Sequence, residues 1–250
     1  MQFTAIILAA GTGTRLRPHT DDRPKALVPL HGVSLLHRAV SFLRLLAPER
    51  IVVVSGSGAA AVSESLRAFA PDVDVFENSD YTLGSVVSLK RALEQVPGAF
   101  IQCNTDHVYG RRLAPVLLAQ ADAGITAFCD TDRPLGGDDM KVWQEEGRLV
   151  RLSKTLESYK AGFTGIIMCD AERRSLFDAA HEAVLQQDRR LGVEHILAVL
   201  AEPGRQVRIG DMSGHRWLEV DTPQDLELAE QAITAEPDAF NFDGMTEPDG

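Results

Sequence analysis

Four short runs in the first half of the chain, FTAIILAA, RIVVVSG, VDVFEN and AFIQCNTD, are apolar, rich in β-formers and bounded by turn residues, with helical patterns between several of them. Read as strands, they leave little choice of architecture. A strand that reaches its neighbour only through a helix builds βαβ units, so the alternation predicts an α/β fold with a mainly parallel, mixed sheet between helical layers. The intervening helices carry their own signals. SLLHRAVSFLRLLA opens with Ser34 as N-cap, and GSVVSLKRALEQV places Val86, Leu89, Leu93 and Val96 on one face.

From about Gly124 the pattern changes to shorter strands, ITAFCD, MKVWQEEGRLVRLS and GFTGIIMCD, with EEGR as a hairpin signal. This stretch reads as a substrate-facing elaboration. A helix around VEHILAVLA, a strand QVRIG and a last helix TPQDLELAEQAI close the fold. No linker of Pro, Gly or Ser divides the halves, so residues 1–235 are expected to form a single domain. Its two halves, 1–123 and 124–235, are distinguished by this change of pattern. Residues 236–250 carry five acids and no base, and read as a flexible acidic tail on which Phe240 and Phe242 are the only docking points.

Net charge decides which partners to expect. With 25 basic and 36 acidic side chains the chain carries −11, and still −6 without the tail, so its surface as a whole repels nucleic acid and anionic lipid. A small anionic substrate then requires a local cluster of cations. No apolar run approaches the roughly 18 residues that span a bilayer, and the N-terminus lacks the marks of a secretory signal, which together predict a cytoplasmic protein without membrane insertion. Cys103, Cys129 and Cys169 are too scattered for a zinc knuckle or a disulfide framework and read as buried free thiols.

The most informative stretch is IILAAGTGTRLRPHT, which begins at Ile6. It has no P-loop spacing, and the third glycine of a dinucleotide fingerprint is replaced by Leu16. What remains is a strand ending in Leu8, small residues Ala9, Ala10 and Gly11, then Thr12 and Gly13: a backbone able to wrap a nucleotide closely. Arg15, with Arg23 and Lys25 from the following RPK, supplies three cations beside free amides, a cradle for a polyphosphate. Two carboxylate positions complement it. Asp106 ends the strand FIQCNTD, where open parallel sheets place ligands. Glu219 and Asp221 in WLEVDTPQDLELAEQAI stand two apart, on one face of a strand, while Thr222, Pro223 and Asp225 read as a capping box at the start of the last helix.

Taken whole, LAAGTGTRLRPHTDDRPKALVPL resembles the N-terminal signature of the nucleotidyltransferases that join a nucleotide to a sugar phosphate or alcohol phosphate. The resemblance implies a Rossmann-like three-layer αβα fold of the nucleotide-diphospho-sugar transferase type, in which the 1–123 half would bind nucleotide and the 124–235 half would bind the acceptor and complete a metal site. It also implies in-line attack by an acceptor phosphate oxygen on the α-phosphorus of a nucleoside triphosphate, with pyrophosphate leaving. By the same likeness, Arg15 and Lys25 bear on the triphosphate, and the backbone from Leu8 through Ala9, Ala10, Gly11 and Thr12 to Gly13 meets base and phosphates. Asp106 and Asp221 would bind Mg2+, with Glu219 as an alternative because the sugar branch's aspartate aligns with it. His107 would orient the loop.

Sugar-phosphate members usually carry GTA and GDN motifs, whereas this chain has YTLGSVVSLKRAL and NTDHVYG. These segments are similar to the cytidylyltransferase branch acting on phosphocholine, inositol phosphate or phosphonates, which implies CTP as donor and a small phosphate or phosphonate as acceptor. Gly84, Ser85 and Ser88 would then lie against base and ribose; the alternative is a plain helix start capped by Ser85. Lys154 matches the family lysine that approaches the acceptor's phosphate and would join Arg15 and Lys25 as a catalytic group, with Lys141 as second candidate. Tyr81, Tyr159 and Trp143 do not assemble a choline cage from sequence alone. The competing readings are a sugar 1-phosphate nucleotidylyltransferase using UTP, dTTP or GTP, a catalytically silent nucleotide sensor, and, weakest, a hydride-transferring dinucleotide enzyme. A monomer or homodimer is expected.

Overall fold

The computed structural model describes residues 2–121, 124–201, 204 and 207–242. In chain order the first half runs β1 (Thr4–Ala9), β2 (Pro29–Leu30), β3 (Val33–Ser34), α1 (Leu35–Arg44), β4 (Arg50–Ser55), α2 (Ala59–Phe69), β5 (Asp74–Glu77), α3 (Ser85–Leu93), β6 (Phe100–Asn104), β7 (His107–Tyr109) and α4 (Leu113–Ala119). The second half adds β8 (Ile125–Asp130), β9 (Lys141–Glu145), β10 (Arg148–Ser153), β11 (Ala161–Cys169), α5 (Arg174–Gln187), α6 (Glu194–Ala201), β12 (Val207–Asp211), β13 (Trp217–Glu219), α7 (Pro223–Ala235) and α8 (Pro237–Phe240).

Among the described residues one nine-stranded sheet has the order β5-β4-β1-β6-β11-β8-β12-β10-β9. Its first four strands are parallel, as the βαβ reading requires. Beyond β6 the parallel character survives only between β8 and β12, and the remaining neighbours are antiparallel. The sheet is therefore mixed, with its parallel part concentrated in the first half of the chain. β9 also pairs with the start of β11, which curls the far end of the sheet around the second half.

The central strands are covered on both faces, which is why they read as unbroken apolar runs. Ala5, Ile7 and Ala9 of β1 pack with Leu36 and Val40 of α1, Val62 of α2 and Leu117 of α4. Ile6 and Leu8, pointing the other way, pack with Val86 and Leu89 of α3, Phe177 of α5 and Ile196 of α6. Period-two alternation thus divides one strand between two cores. A third apolar cluster matters most for the site: it joins Leu16, Val28, Leu30, Val108, Val220, Leu226 and Ile233, and so fixes the glycine-rich loop against β7, the segment after β13 and α7.

Ser34 caps α1 as expected, its hydroxyl accepting from the His37 amide at 3.2 Å. The three cysteines are free and buried, and burial pushes the Cys169 thiol up to about 12. The first part of the acidic segment differs from its composition. Pro237–Phe240 is helical, Phe240 and Phe242 are buried, and the wholly buried Arg38 donates to the Phe240 carbonyl at 3.2 Å and twice to that of Leu30. Two phenylalanines and a buried guanidinium outweigh the charge that surrounds them; residues 243–250 of that segment lie outside the described residues.

Candidate active site

The loop after β1 is shaped by Lys25. Gly13 has φ +65°, and a Cβ there would come within 2.7 Å of the Lys25 Cβ, so the loop requires glycine both for its left-handed turn and for the lysine stem beneath it. The Thr20 hydroxyl closes the loop by donating to the Gly13 carbonyl at 2.8 Å. Pro24 is buried against Gly58, which turns Lys25 inward and its neighbour outward. Arg23 accordingly pairs with adjacent Asp22 on the surface, at 3.0 Å, and lines neither cavity of the site.

A small ladder brings the two remote acids together. β7 and β13 pair antiparallel with His107 opposite Glu219 and Tyr109 opposite Trp217, and the Val220 amide extends the ladder by donating to the Asp106 carbonyl at 2.8 Å. Asp106 and Asp221 then converge on one ammonium: Lys25 Nζ donates to Asp106 Oδ2 at 2.8 Å and to Asp221 Oδ1. Asp221 Oδ2 accepts from Arg15 at 2.5 Å, and Asp106 Oδ1 meets His107 Nδ1 at 2.7 Å. The capping box forms, with Thr222 Oγ1 accepting from the Asp225 amide and Asp225 Oδ2 accepting from the amides of Thr222 and Asp221. The cap and the site are thus one device, because the turn that starts α7 also aims Asp221. Glu219 takes a different position, facing His107 and Arg133 rather than Lys25, with Arg133 3.9 Å away.

Charge states follow from this geometry. Burial alone would lower the pKa of Lys25, but Asp106 and Asp221 outweigh it and raise the pKa. For Asp106, burial opposes ionisation, yet Lys25 and His107 hold its carboxyl well below the usual range. Burial also opposes the imidazolium of His107, which Asp106 overcomes, raising its pKa. Glu219 lacks a comparable partner, and burial raises its pKa. His107 lies parallel to Trp217 with ring centroids 5.7 Å apart, and Trp217 Nε1 donates to buried Asp130 at 2.7 Å, so the imidazole is fixed in place as expected of a group that orients the loop.

Two cavities meet at Asn104 and Asp106. The smaller, about 240 Å3, is lined by Leu8, Ala9, Ala10, Gly11, Lys25, Tyr81 and, from α3, Ser85 and Ser88. The larger, about 490 Å3, contains Arg15, Lys154, Glu219 and Asp221 together with Arg133 and its loop. Thr12 and Gly13 shape the turn without lining either. Gly84 lines neither: a Cβ there would stand 1.9 Å from the Leu191 carbonyl, so its place is filled by backbone. Ser85 is not the α3 cap, since Gly84 holds that position and the Ser85 hydroxyl accepts from the Val193 amide at 3.0 Å. Ser88 accepts from buried Asn78 at 3.0 Å, leaving its own proton for the cavity. Lys141 lines neither cavity and donates to the Gly136 and Lys154 carbonyls at 2.8 and 2.9 Å. Of the three aromatic residues weighed for a cage, Tyr81 alone lines either cavity.

The sequence reading missed Arg133, Trp217 and Asn104. Arg133 and Trp217 carry no motif of their own, and their only signal is position: Arg133 follows a strand end in DRPLGGDD, and Trp217 precedes the strand pair Glu219 and Asp221.

With strand-end carboxylates, a cation-bearing glycine loop and adjoining cavities at the sheet's C-terminal edge, the chain can be compared with known proteins. Residues 5–200 match the MobA-like NTP transferase domain, and the chain belongs to this nucleotidyltransferase family. It is 34% identical over 233 residues to the bifunctional IPC transferase and DIPP synthase of Rubrobacter xylanophilus, covering 92% of this chain and 51% of that one. A second such protein, from Aquifex aeolicus, is 31% identical over 93% of this chain and 52% of its own length. The chain therefore spans about half the length of the curated relatives it matches. Among solved structures, the inositol-1-phosphate CTP transferase from T. maritima superposes with a TM-score of 0.80 at 23% identity, covering 93% of this chain and 96% of that one, a likeness of fold.

Proposed function

We propose that this chain transfers CMP from CTP to a small phosphorylated alcohol or a phosphonate, releasing pyrophosphate. The observation that carries the reading is the convergence of Lys25 with Asp106 and Asp221 where two cavities meet, one sized and lined for a nucleoside and the other open to a second anion. One solved structure of the same fold, an inositol-1-phosphate CTP transferase, pairs CTP with a phosphorylated alcohol in its name and agrees with it. Family members of this type generally work with a divalent metal ion. Two carboxylates with oxygen donors fit Mg2+, which keeps several waters and takes phosphate oxygens instead of a full protein cage. When bound, the ion would neutralise charge on the triphosphate and favour departure of pyrophosphate.

The chain's own residues do the rest. The loop from Leu8 to Gly13 and Ser88 hold the nucleoside, while Lys25 and Arg15 draw the triphosphate toward the carboxylates. Lys154, which lines the larger cavity, and the loop bearing Arg133 receive the acceptor. An acceptor oxygen forms the new bond to the α-phosphorus as the bond from that phosphorus to the bridging oxygen breaks. The attacking oxygen is already anionic, so no general base is required, and positioning plus charge stabilisation supply the catalysis.

The test is pyrophosphate release from each of four nucleoside triphosphates with mixed alcohol phosphates, phosphonates and sugar 1-phosphates, in Mg2+. CTP with an alcohol phosphate or phosphonate should turn over, and Asp106→Ala should abolish it. Preference for UTP, dTTP or GTP with a sugar 1-phosphate would replace this reading, and CTP binding without turnover of any acceptor would leave a nucleotide sensor.

A further inference from the structure

The larger cavity poses an electrostatic problem for the acceptor. Its lining includes seven carboxylates against Arg15, Arg133 and Lys154, so a phosphate dianion enters unfavourably unless an uncommitted cation waits for it. Arg15 is bound to Asp221, and Lys25 is shared between Asp106 and Asp221. Arg133 is different. Its guanidinium lies 4.4 Å from the Trp217 ring, and its nearest acids, Asp139 and Glu219, stand at 3.7 and 3.9 Å, too far for hydrogen bonds. Its Nη1 is buried and has no hydrogen-bond partner. Leaving a buried donor unmade costs about 1–3 kcal/mol, more when it is charged; the two acids meet this arginine by charge alone, so the N–H groups it turns to the cavity remain available to a ligand's oxygens.

The surroundings hold it in that state. Asp130 accepts from Trp217 with Oδ2 and from the Asp132 amide with Oδ1, both at 2.7 Å, and Asp132 Oδ2 in turn accepts from the Gly214 amide at 2.5 Å. The aromatic platform and the start of the arginine's loop are therefore fixed by one buried carboxylate. Lys141 ties the far side of the same loop through the Gly136 carbonyl. The contact with Trp217 holds the guanidinium over the ring without consuming any of its N–H groups.

Resting on the function proposed above, we infer that Arg133 binds the acceptor's phosphorus oxyanion through a bidentate pair of hydrogen bonds, making it a specificity-determining residue for phosphate and phosphonate acceptors. Lys154 adds a second, point-like charge to the same group. The chemistry required of the ligand is a tetrahedral oxyanion with two oxygens free to face a planar fork.

The experiment titrates inorganic phosphate into protein saturated with α,β-methylene-CTP and Mg2+, so that binding is read without turnover. Arg133→Ala should weaken phosphate about 10- to 100-fold while the affinity for α,β-methylene-CTP stays within about twofold. Arg133→Lys, which keeps the charge but loses the fork, should remain at least about fivefold weaker than wild type. With whichever acceptor the wild type turns over, Arg133→Ala should raise the acceptor's KM and leave that of CTP unchanged. Phosphate affinity unaltered in Arg133→Ala, full recovery with lysine, a parallel loss of α,β-methylene-CTP binding, or no phosphate binding by the wild type would each overturn the inference. If phosphate binding depends on Arg133 but no acceptor is turned over, the proposed activity fails while the anion site stands.

Discussion

Replacing Lys25 by methionine keeps most of the buried stem and deletes the ammonium that Asp106 and Asp221 share. At 2.8 Å and an effective dielectric constant near 20, the Lys25–Asp106 contact alone represents about 6 kcal/mol of attraction, and the Asp221 contact is of the same order. Much of this is offset, because the ammonium no longer has to be desolvated. The net cost of breaking a buried ion pair from one side is about 3–5 kcal/mol. Here the two carboxylates retain 24% and 17% exposure at the cavity, so water reaches them and the lower figure, about 3 kcal/mol, is expected. The loss should also depend on pH. In the wild type, the lowered pKa of Asp106 contributes stability that is present above its unfolded value of 3.8 and lost as pH falls through the folded one; without Lys25 that contribution shrinks. Urea unfolding at neutral pH measures the difference, and Mg2+ provides the control. An ion that binds the two bared carboxylates restores about 2.7 kcal/mol at a concentration of 100 Kd. A variant within about 0.5 kcal/mol of wild type, and indifferent to Mg2+, would refute the idea that Lys25 holds these acids together.

Two further perturbations probe the frame around the site. Gly84→Ala is sterically blocked although its φ of −71° suits alanine, because the new Cβ would lie 1.9 Å from the Leu191 carbonyl and 2.6 Å from that of Arg190. The backbone must shift, at about 1–3 kcal/mol, so a thermal melt should show Tm falling by roughly 2–12 °C, with weaker CTP binding as Ser85 moves; an unchanged melt would show that the α3 entrance is not fixed there. His181 is buried with Nε2 2.8 Å from the Val86 carbonyl, and burial lowers its pKa below the ordinary 6.5. It stays neutral in the fold while the unfolded chain takes up a proton, so stability is full above pH 6.5 and falls with acidification below it, by up to about 1.4 kcal/mol per pH unit. His181→Gln should flatten that slope in urea titrations between neutral and mildly acidic pH, and a slope equal to the wild type's would exclude His181 as its source.

The residues that the sequence made legible share a property: each signals through its immediate neighbours. The run ending at Leu8, the glycines beside Arg15, the cap at Ser34 and the box at Thr222 all announce themselves within a few positions, because strand burial, turn conformation and helix capping are local events. The positions of Arg23 and Lys141 were not legible, for the complementary reason. A cation's sequence context does not say whether its head faces a cavity, a neighbouring acid such as Asp22, or two backbone carbonyls. Arg133 escaped notice because its meaning depends on Trp217, which reaches it from a distant strand.

Alternation of strands and helices was enough to dictate an α/β sheet, and the string around Gly11 and Gly13 to dictate a nucleotide-sized turn with cations beside it. Only the folded chain decided which charges meet. Pairing His107 with Glu219 carries Asp106 to the same ammonium as Asp221, and burying Leu16 with Val108 and Val220 carries the glycine loop to both. Periodicity reports what each segment buries, whereas the register between remote segments is set by contacts that exist only after all of them have packed.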